Sequence, residues 1–305
     1  MEELLLLREV EPQHRVQPVE DAPEVGRAVR RRPLGSGLVD QAVEYAGEVE
    51  DLLVRAAHRR ERVVAGERAP PAGDVERRLA DAVNETVTAG GNLVIPAFAV
   101  GRAQDVLFRL NRLVRAARVP RLLTFVDSPM ATSVTQLYRR HTDDLAPALA
   151  EAFGRGESPF DAPGLTFVRA VEQSKALNQL RGSAVISAGA GMCNGGRIKH
   201  HLVANIERAE STVLFVGYQA RGTLGRQIVD GVDPVRILGE PRAVRARIER
   251  IEEFSAHGDR EALVAWVRDA PARPRRAHVV HGEPGAAEAL VGALAEIGVD
   301  AEAAR

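Results

Sequence analysis

From Asp74 onward the chain alternates two rhythms of apolar and polar positions. In "DVERRLADAVNETVTAGG", Val75, Leu79, Ala82, Val83 and Val87 form a helical stripe, and Gly90 and Gly91 are placed to end it. "NLVIPAF" is a short, fully apolar strand, and "GRAQDVLFRLNRLVRAA" returns to helix with Val106, Leu107, Leu110 and Leu113 on one face. The pattern continues through strand "RLLTFVDS", helix "SVTQLYRRH", strands "LTFVRAV" and "SAVISAG", helix "RIKHHLVANIE" and strand "STVLFVGY". After "VRARIERIEEF" come helix "REALVAWVRDA", strand "AHVVHG" and helix "GAAEALVGALAEIG". Apolar strands alternating with helices predict an α/β architecture with a largely parallel sheet. Working residues in such sheets gather on loops at the carboxyl ends of strands.

Residues 1–73 read differently. "VRRRPLGSG" and "RAAHRRERVVAGERAPPAG" scatter charge, proline and glycine without a clear period, which predicts weak order or poorly packed helix. The 305 residues hold 41 Lys and Arg against 42 Asp and Glu, so no overall field draws in an acidic partner and any nucleic-acid contact is local. Nearly all the cations are arginine, Lys175 and Lys199 excepted. Nucleotide composition of the genome accounts for that bias, although arginine also suits bidentate phosphate contacts. Cys193 is the single cysteine, which excludes an internal disulfide and a thiolate zinc cluster. "MEELLLLREVEP" is too acidic and too short in its apolar core for a signal peptide, so a cytoplasmic protein without membrane contact is expected.

Four constellations carry candidate chemistry. In "ISAGAGMCNGGRIKHHL" a strand delivers Gly189, Gly191, Gly195 and Gly196, then Arg197, to a helix start, where backbone N–H groups can face a phosphate. The spacing departs from a dinucleotide fingerprint, and a tight turn that binds nothing fits equally well. In "FVGYQARGTLGRQIVDG" another strand delivers glycines beside Arg221 and Arg226; solvated surface arginines are the plainer alternative to phosphate contacts. In "FVDSPMA" the Asp127 and Ser128 side chains are expected to emerge at a cleft edge, unless the stretch is an ordinary turn. The fourth is the pair His257, in "FSAHGD", and His281, in "VVHGE". Both follow strand-like runs, sit among small residues such as Ser255, and precede helices, which favours one shared site. His200, His201 and His278 are assigned structural or surface roles.

Taken in order, "GGNLVIPAFAVGRAQDVL", "VDSPMATS", "GAGMCNGGRIKHHL", "GYQARGTLGRQ", "FSAHGD" and "VVHGE" closely resemble the successive signatures of the β-CASP metallo-β-lactamase RNA-processing nucleases, the group of the cleavage-and-polyadenylation endonuclease. The resemblance covers roughly residues 74–288. It implies a β-CASP domain over 74–253, a return into the C-terminal part of a metallo-β-lactamase αββα domain over 254–305, and an unmatched segment over 1–73. It further implies RNA in a groove between the domains and a zinc pair activating a hydroxide. By the same resemblance His257 contacts the scissile phosphate and helps protonate the leaving oxygen, and His281 is a late zinc ligand. Asp127, Ser128, Gly191, Gly195, Gly196, Arg197, Arg226 and Ser255 are the accompanying substrate-binding candidates.

The family's other ligands do not match. No H-x-H-x-D-H run and no S-G-D turn occur in the chain; His14 and His58 make neither. Arg55 stands where the family carries a Glu that supports the phosphate-contacting histidine. One residual ligand holds no zinc pair, because each ion needs several. Three accounts fit this gap, in descending order: residues 1–73 are a misread frame ahead of a true nuclease; the protein is a metal-free homologue that binds RNA or a nuclease partner; or another chain supplies the missing half. In each, the 305 residues alone are expected to cut RNA poorly, and incompletely covered apolar surface leaves room for a homo-oligomer.

Overall fold

The computed structural model describes residues 72–142, 145, 147–254, 260–270, 274–280 and 282–303. The expectation for residues 1–71 lies outside them. Helix α1 (Ala72–Ala89) leads to β1 (Leu93–Pro96), α2 (Arg102–Arg115), β2 (Leu123–Asp127), α3 (Pro129–Arg140), α4 (Pro147–Gly154), β3 (Leu165–Phe167) and α5 (Val171–Leu177). Then follow β4 (Ala184–Ala188), α6 (Ile198–Asn205), β5 (Thr212–Phe215), α7 (Leu224–Val229), the β6–β7 hairpin (Val235–Ile237, Glu240–Arg242) and β8 (Arg247–Arg250). A 3-10 turn, Glu252–Phe254, precedes α8 (Arg260–Arg268), β9 (Arg276–Val279), α9 (Pro284–Glu296) and β10 (Asp300–Ala303).

Six strands form one sheet in the order β3-β2-β4-β1-β5-β8, every pairing parallel. This is the α/β architecture that the alternating pattern predicts. Strand side chains point to opposite faces in turn, and helices cover both. Leu93 and Ile95 of β1 and Leu214 of β5 join Leu79, Val83, Val106, Leu110 and Leu113 in the core on the α1–α2 side. Val94, Val213 and Phe215 face the other way, against Ile198 and Leu202 of α6 and Ile228 of α7. Each such side chain, fully buried, contributes about 1.5–3 kcal/mol. The stripes read from α1 and α2 are the buried ones, and Gly90 ends α1 at φ 75°, where an L side chain would be strained.

The same burial explains what the pattern does not reveal. Helices α4, α5 and α7 have only eight, seven and six residues, too few turns for a periodic stripe. Strand β10, "DAEA", is mostly exposed and carries no apolar run. It pairs in parallel with β9 at the chain's end, Asp300 opposite Arg276, around a small separate core of Val267, Leu294 and Val299. No described helix is long and apolar enough to cross a membrane.

The register sets the working edge. Asp127 of β2 and Pro96 of β1 both lie opposite Ala188 of β4, so three adjacent strands end at one level. From β1 the chain runs to β2 on one side, and from β4 to β5 on the other. Carboxyl-end loops therefore part near the β4–β1 junction, where parallel sheets open a crevice.

Candidate functional site

Asp127 closes β2 and is the hub of this edge. The sequence reading has its side chain emerging at a cleft; the structure corrects that, because the carboxylate is turned inward and fully buried. Its Oδ1 accepts from Arg197 Nη1 at 2.7 Å, and its Oδ2 accepts from Ser174 Oγ at 2.5 Å and lies 2.7 Å from His201 Nε2. Burial pushes the carboxyl pKa up, but the bonds from His201, Ser174 and Arg197 outweigh that and hold it below the ordinary value. An ionised carboxylate only accepts, so His201 donates from Nε2, and its Nδ1 is buried with no partner among the described residues. Arg197 also donates to the carbonyls of Val168 and Arg169, tying the α6 start to the end of β3. Arg197 and His201 reach one carboxylate because residues four apart share a helix face. Their spacing is the sequence signal that would have found His201; His200, next to it, is exposed as expected.

Ser128 caps α3, accepting from the Ala131 N–H at 3.2 Å. The glycines after β4 are explained first by packing. A Cβ on Gly191 would come 2.8 Å from the Phe98 ring, and one on Gly196, at φ 75°, 2.5 Å from the Gly189 carbonyl oxygen. The Ile198 and Cys193 N–H groups donate within the loop, to Gly189 and Ala190 at 3.0 Å each, so those donors do not face an anion. Gly195 meets nothing within 4 Å and lies open. The loop is bound to its neighbour after β5: Gln219 Nε2 donates to the Gly191 carbonyl at 3.1 Å, and the Gly225 N–H to Met192 at 3.1 Å. Cys193 lies within it, its thiol pushed by burial up to about 12.

The arginines after β5 are paired. Arg226 Nε lies 2.8 Å from both oxygens of Asp230, and its Nη1 lies 3.4 Å from Glu283 Oε1. Arg221 reaches Glu283 Oε2 at 3.4 Å, and the Tyr218 hydroxyl donates to the same carboxylate. Glu283 is thus gripped from three sides, and the Tyr218 bond, ahead of the arginine charges, holds its pKa low. This cluster joins the β5 loop to the turn before α9. Ser255, His257 and His281 lie outside the described residues. Phe254, which opens the "FSAHGD" stretch, is described: it is buried in the main core beneath Arg102 and Arg109. His278 sits on the surface beside Glu302 at 2.9 Å.

Among the described residues no three His, Cys, Asp or Glu side chains converge as metal donors. The Asp127–His201 pair does not substitute for such a group. A guanidinium already occupies the carboxylate's other oxygen and would repel a cation, and the Cys193 thiol is held in its neutral form. Zinc therefore does not fit the described donor set.

A family model described as the Beta-Casp domain matches residues 103–228, and one described as the Zn-dependent metallo-hydrolase RNA specificity domain matches residues 242–304. The chain is 37% identical over 235 residues to a ribonuclease of Thermus thermophilus, covering 77% of this chain and 53% of that one. It is 32% identical over 252 residues to the transcription termination factor FttA of Methanosarcina mazei, covering 81% and 39%. To an RNase J-like protein of Methanocaldococcus jannaschii the identity is 29% over 214 residues, covering 70% and 48%. The chain spans about half or less of the length of these relatives.

Proposed function

The chain belongs to the β-CASP family of metallo-β-lactamase-fold proteins, and from that premise we propose that it binds single-stranded RNA along the carboxyl edge of its sheet. The observation that carries the reading is the RNA specificity match directly after the Beta-Casp match, on a fold whose strand ends open a crevice there. Residues 74–253 are the β-CASP part, and 254–305 return toward a hydrolytic domain. By the family resemblance the reaction is zinc-dependent RNA hydrolysis, which would set His257 at the scissile phosphate, His281 on zinc and Ser255 at the substrate. In this chain that activity is impaired, because one ligand does not retain a zinc pair. Where zinc is bound in the family, it supplies a hydroxide and charge stabilisation.

The residues of this chain then act as binders and supports. Asp127 holds Arg197 and His201, and through them the start of α6. Ser128, Gly191 and Gly196 give the loop its close packing, and Gly195 leaves an open approach for the RNA backbone. Arg226 orients Glu283, two residues from His281. A second reading, a scaffold that recruits a nuclease partner, draws on the same missing ligands. The proposal sets the chain in the cytoplasm, where RNA processing supplies its ligand.

The test is a cleavage assay with the purified 305-residue chain, labelled single-stranded RNA and added zinc. The expected result is binding without turnover, unchanged by His257→Ala. Efficient zinc-dependent cutting that His257→Ala abolishes would overturn the impairment, and failure to bind RNA would favour the scaffold.

A further inference from the structure

Two arginines of α2 flank one ring. The Arg109 guanidinium carbon lies 5.4 Å from the Phe254 centroid and that of Arg102 lies 5.9 Å from it. Their counter-ions differ. Arg109 Nε is paired with Asp105 Oδ1 at 2.9 Å, whereas Arg102 has no side-chain hydrogen bond or ion pair among the described residues. Its Nη1 is shut away from solvent with no acceptor, although the residue as a whole is only partly buried. The guanidinium lies against Gly217, where an added Cβ would meet Nη1 at 3.5 Å. Arg102 follows β1 and Gly217 follows β5, adjacent strands, so this cation stands at the carboxyl edge on the β5 side of β1, next to the β4–β1 crevice. Burial, joined by the charge of Arg109 and opposed by that of Asp105, pulls its pKa below the ordinary guanidinium value. A desolvated cation without a partner is costly, and such groups cluster where a ligand brings the missing charge.

The surroundings say which anion. Arg197, Arg221 and Arg226, the other arginines named at this edge, are already neutralised by Asp127, Glu283 and Asp230. Exposed aromatic rings stand nearby in sequence on both strand ends, Phe98 after β1 and Tyr218 after β5. Aromatic faces beside a cation suit a single strand, whose bases stack while its backbone meets the charge.

We propose that Arg102 is a phosphate anchor: its guanidinium, cradled by Phe254 and Gly217, takes a phosphodiester of single-stranded RNA lying across the β1 and β5 loops. This rests on the RNA-binding reading above. Stacking on Phe254 also couples the anchor to the chain three residues before His257.

The experiment is fluorescence anisotropy of the 305-residue chain with labelled oligouridylate in chelator, over a series of salt concentrations. It compares wild type with Arg102→Met, which keeps an apolar stem on Phe254, and Arg102→Lys, which keeps the charge. Arg102→Met is expected to weaken binding about tenfold and to flatten the slope of log affinity against log salt by about 0.7, the share of one single-strand phosphate. Its melting temperature stays equal or rises, because an unpaired buried charge is gone. Arg102→Lys keeps the wild-type slope and loses part of the affinity. Unchanged slope and affinity in Arg102→Met would overturn the assignment, as would lost affinity accompanied by a lower melting temperature and the wild-type slope. A wild type that shows no salt-dependent binding would instead remove the RNA reading, and this inference with it.

Discussion

The two ends of one sheet solve different problems. At the amino end, Asn92 precedes β1 and is fully buried; its amide donates to Asn205 Oδ1 at 3.0 Å and to the Leu180 carbonyl at 3.1 Å, and accepts from the Ala184 N–H at 3.3 Å. Ser211 adds a bond to the same Asn205 oxygen at 3.2 Å. The partners of Asn92 itself are neutral, Arg208 Nη1 adding a bond at 3.3 Å to both Asn205 Oδ1 and the Leu180 carbonyl, and the cluster ties β1, β4, β5 and α6 into one fixed register. At the carboxyl end the hub is a charge. Asp127 gathers a guanidinium, an imidazole and a hydroxyl, and on the loops after β1, β4 and β5 and the start of α6 the atoms Arg102 Nη1, His201 Nδ1 and Gln219 Oε1 are buried with no partner among the described residues. A structure that only needed stability would close both ends with satisfied amides. Unpartnered buried atoms occur elsewhere too, as at Asn178 Oδ1, but at the carboxyl end they accompany a charged hub, and the proposed RNA site draws on that combination.

Substitutions at the two hubs break this comparison most sharply. Asp127→Ala strands Arg197 and His201 and is expected to cost about 3–5 kcal/mol by urea unfolding, with RNA affinity falling further than the unfolded fraction explains. Asn92→Ala opens the amino-end cluster at a cost of about 2–3 kcal/mol. In the folded fraction RNA affinity is then expected to equal wild type; an equal loss of affinity for both variants would erase the distinction between the ends.

A smaller effect follows from pH. The Asp127 carboxyl is held low in the folded chain, so the unfolded chain takes up its proton first as pH falls. Its contribution is complete above about pH 5 and is lost through the ordinary carboxylate range and below it. The stability gap between wild type and Asp127→Asn should therefore hold above about pH 5 and narrow steadily from there to about pH 3; a gap constant with pH would mean that the carboxylate is not the ionised hub. The least effect concerns Cys193. With its thiol pushed up to about 12, the folded chain should resist iodoacetamide at pH 8 and react only when unfolded.

Much of this sheet was legible in residues. Leu79, Val83, Leu110 and Leu113 announce their helices because one face is buried, and Val94, Ile186 and Val213 sit in continuous apolar runs because both sheet faces are covered. The site was legible only in outline. Asp127 and the glycines after β4 stand out by position, but their packing duties become visible only when Phe98 and Gly189 are seen against them. The roles of Ser174, Glu283 and Arg102 depend on partners 47, 57 and 152 residues away, which no local period encodes.

The central claim is that this chain holds RNA through backbone phosphates at its carboxyl edge. The most direct measurement is the affinity of the wild-type 305-residue chain for single-stranded RNA at rising salt in the presence of chelator. The account predicts binding without metal whose log affinity falls linearly with log salt, by about 0.7 for each phosphate contacted. Binding that salt leaves unchanged, or that appears only when zinc is added, would contradict it.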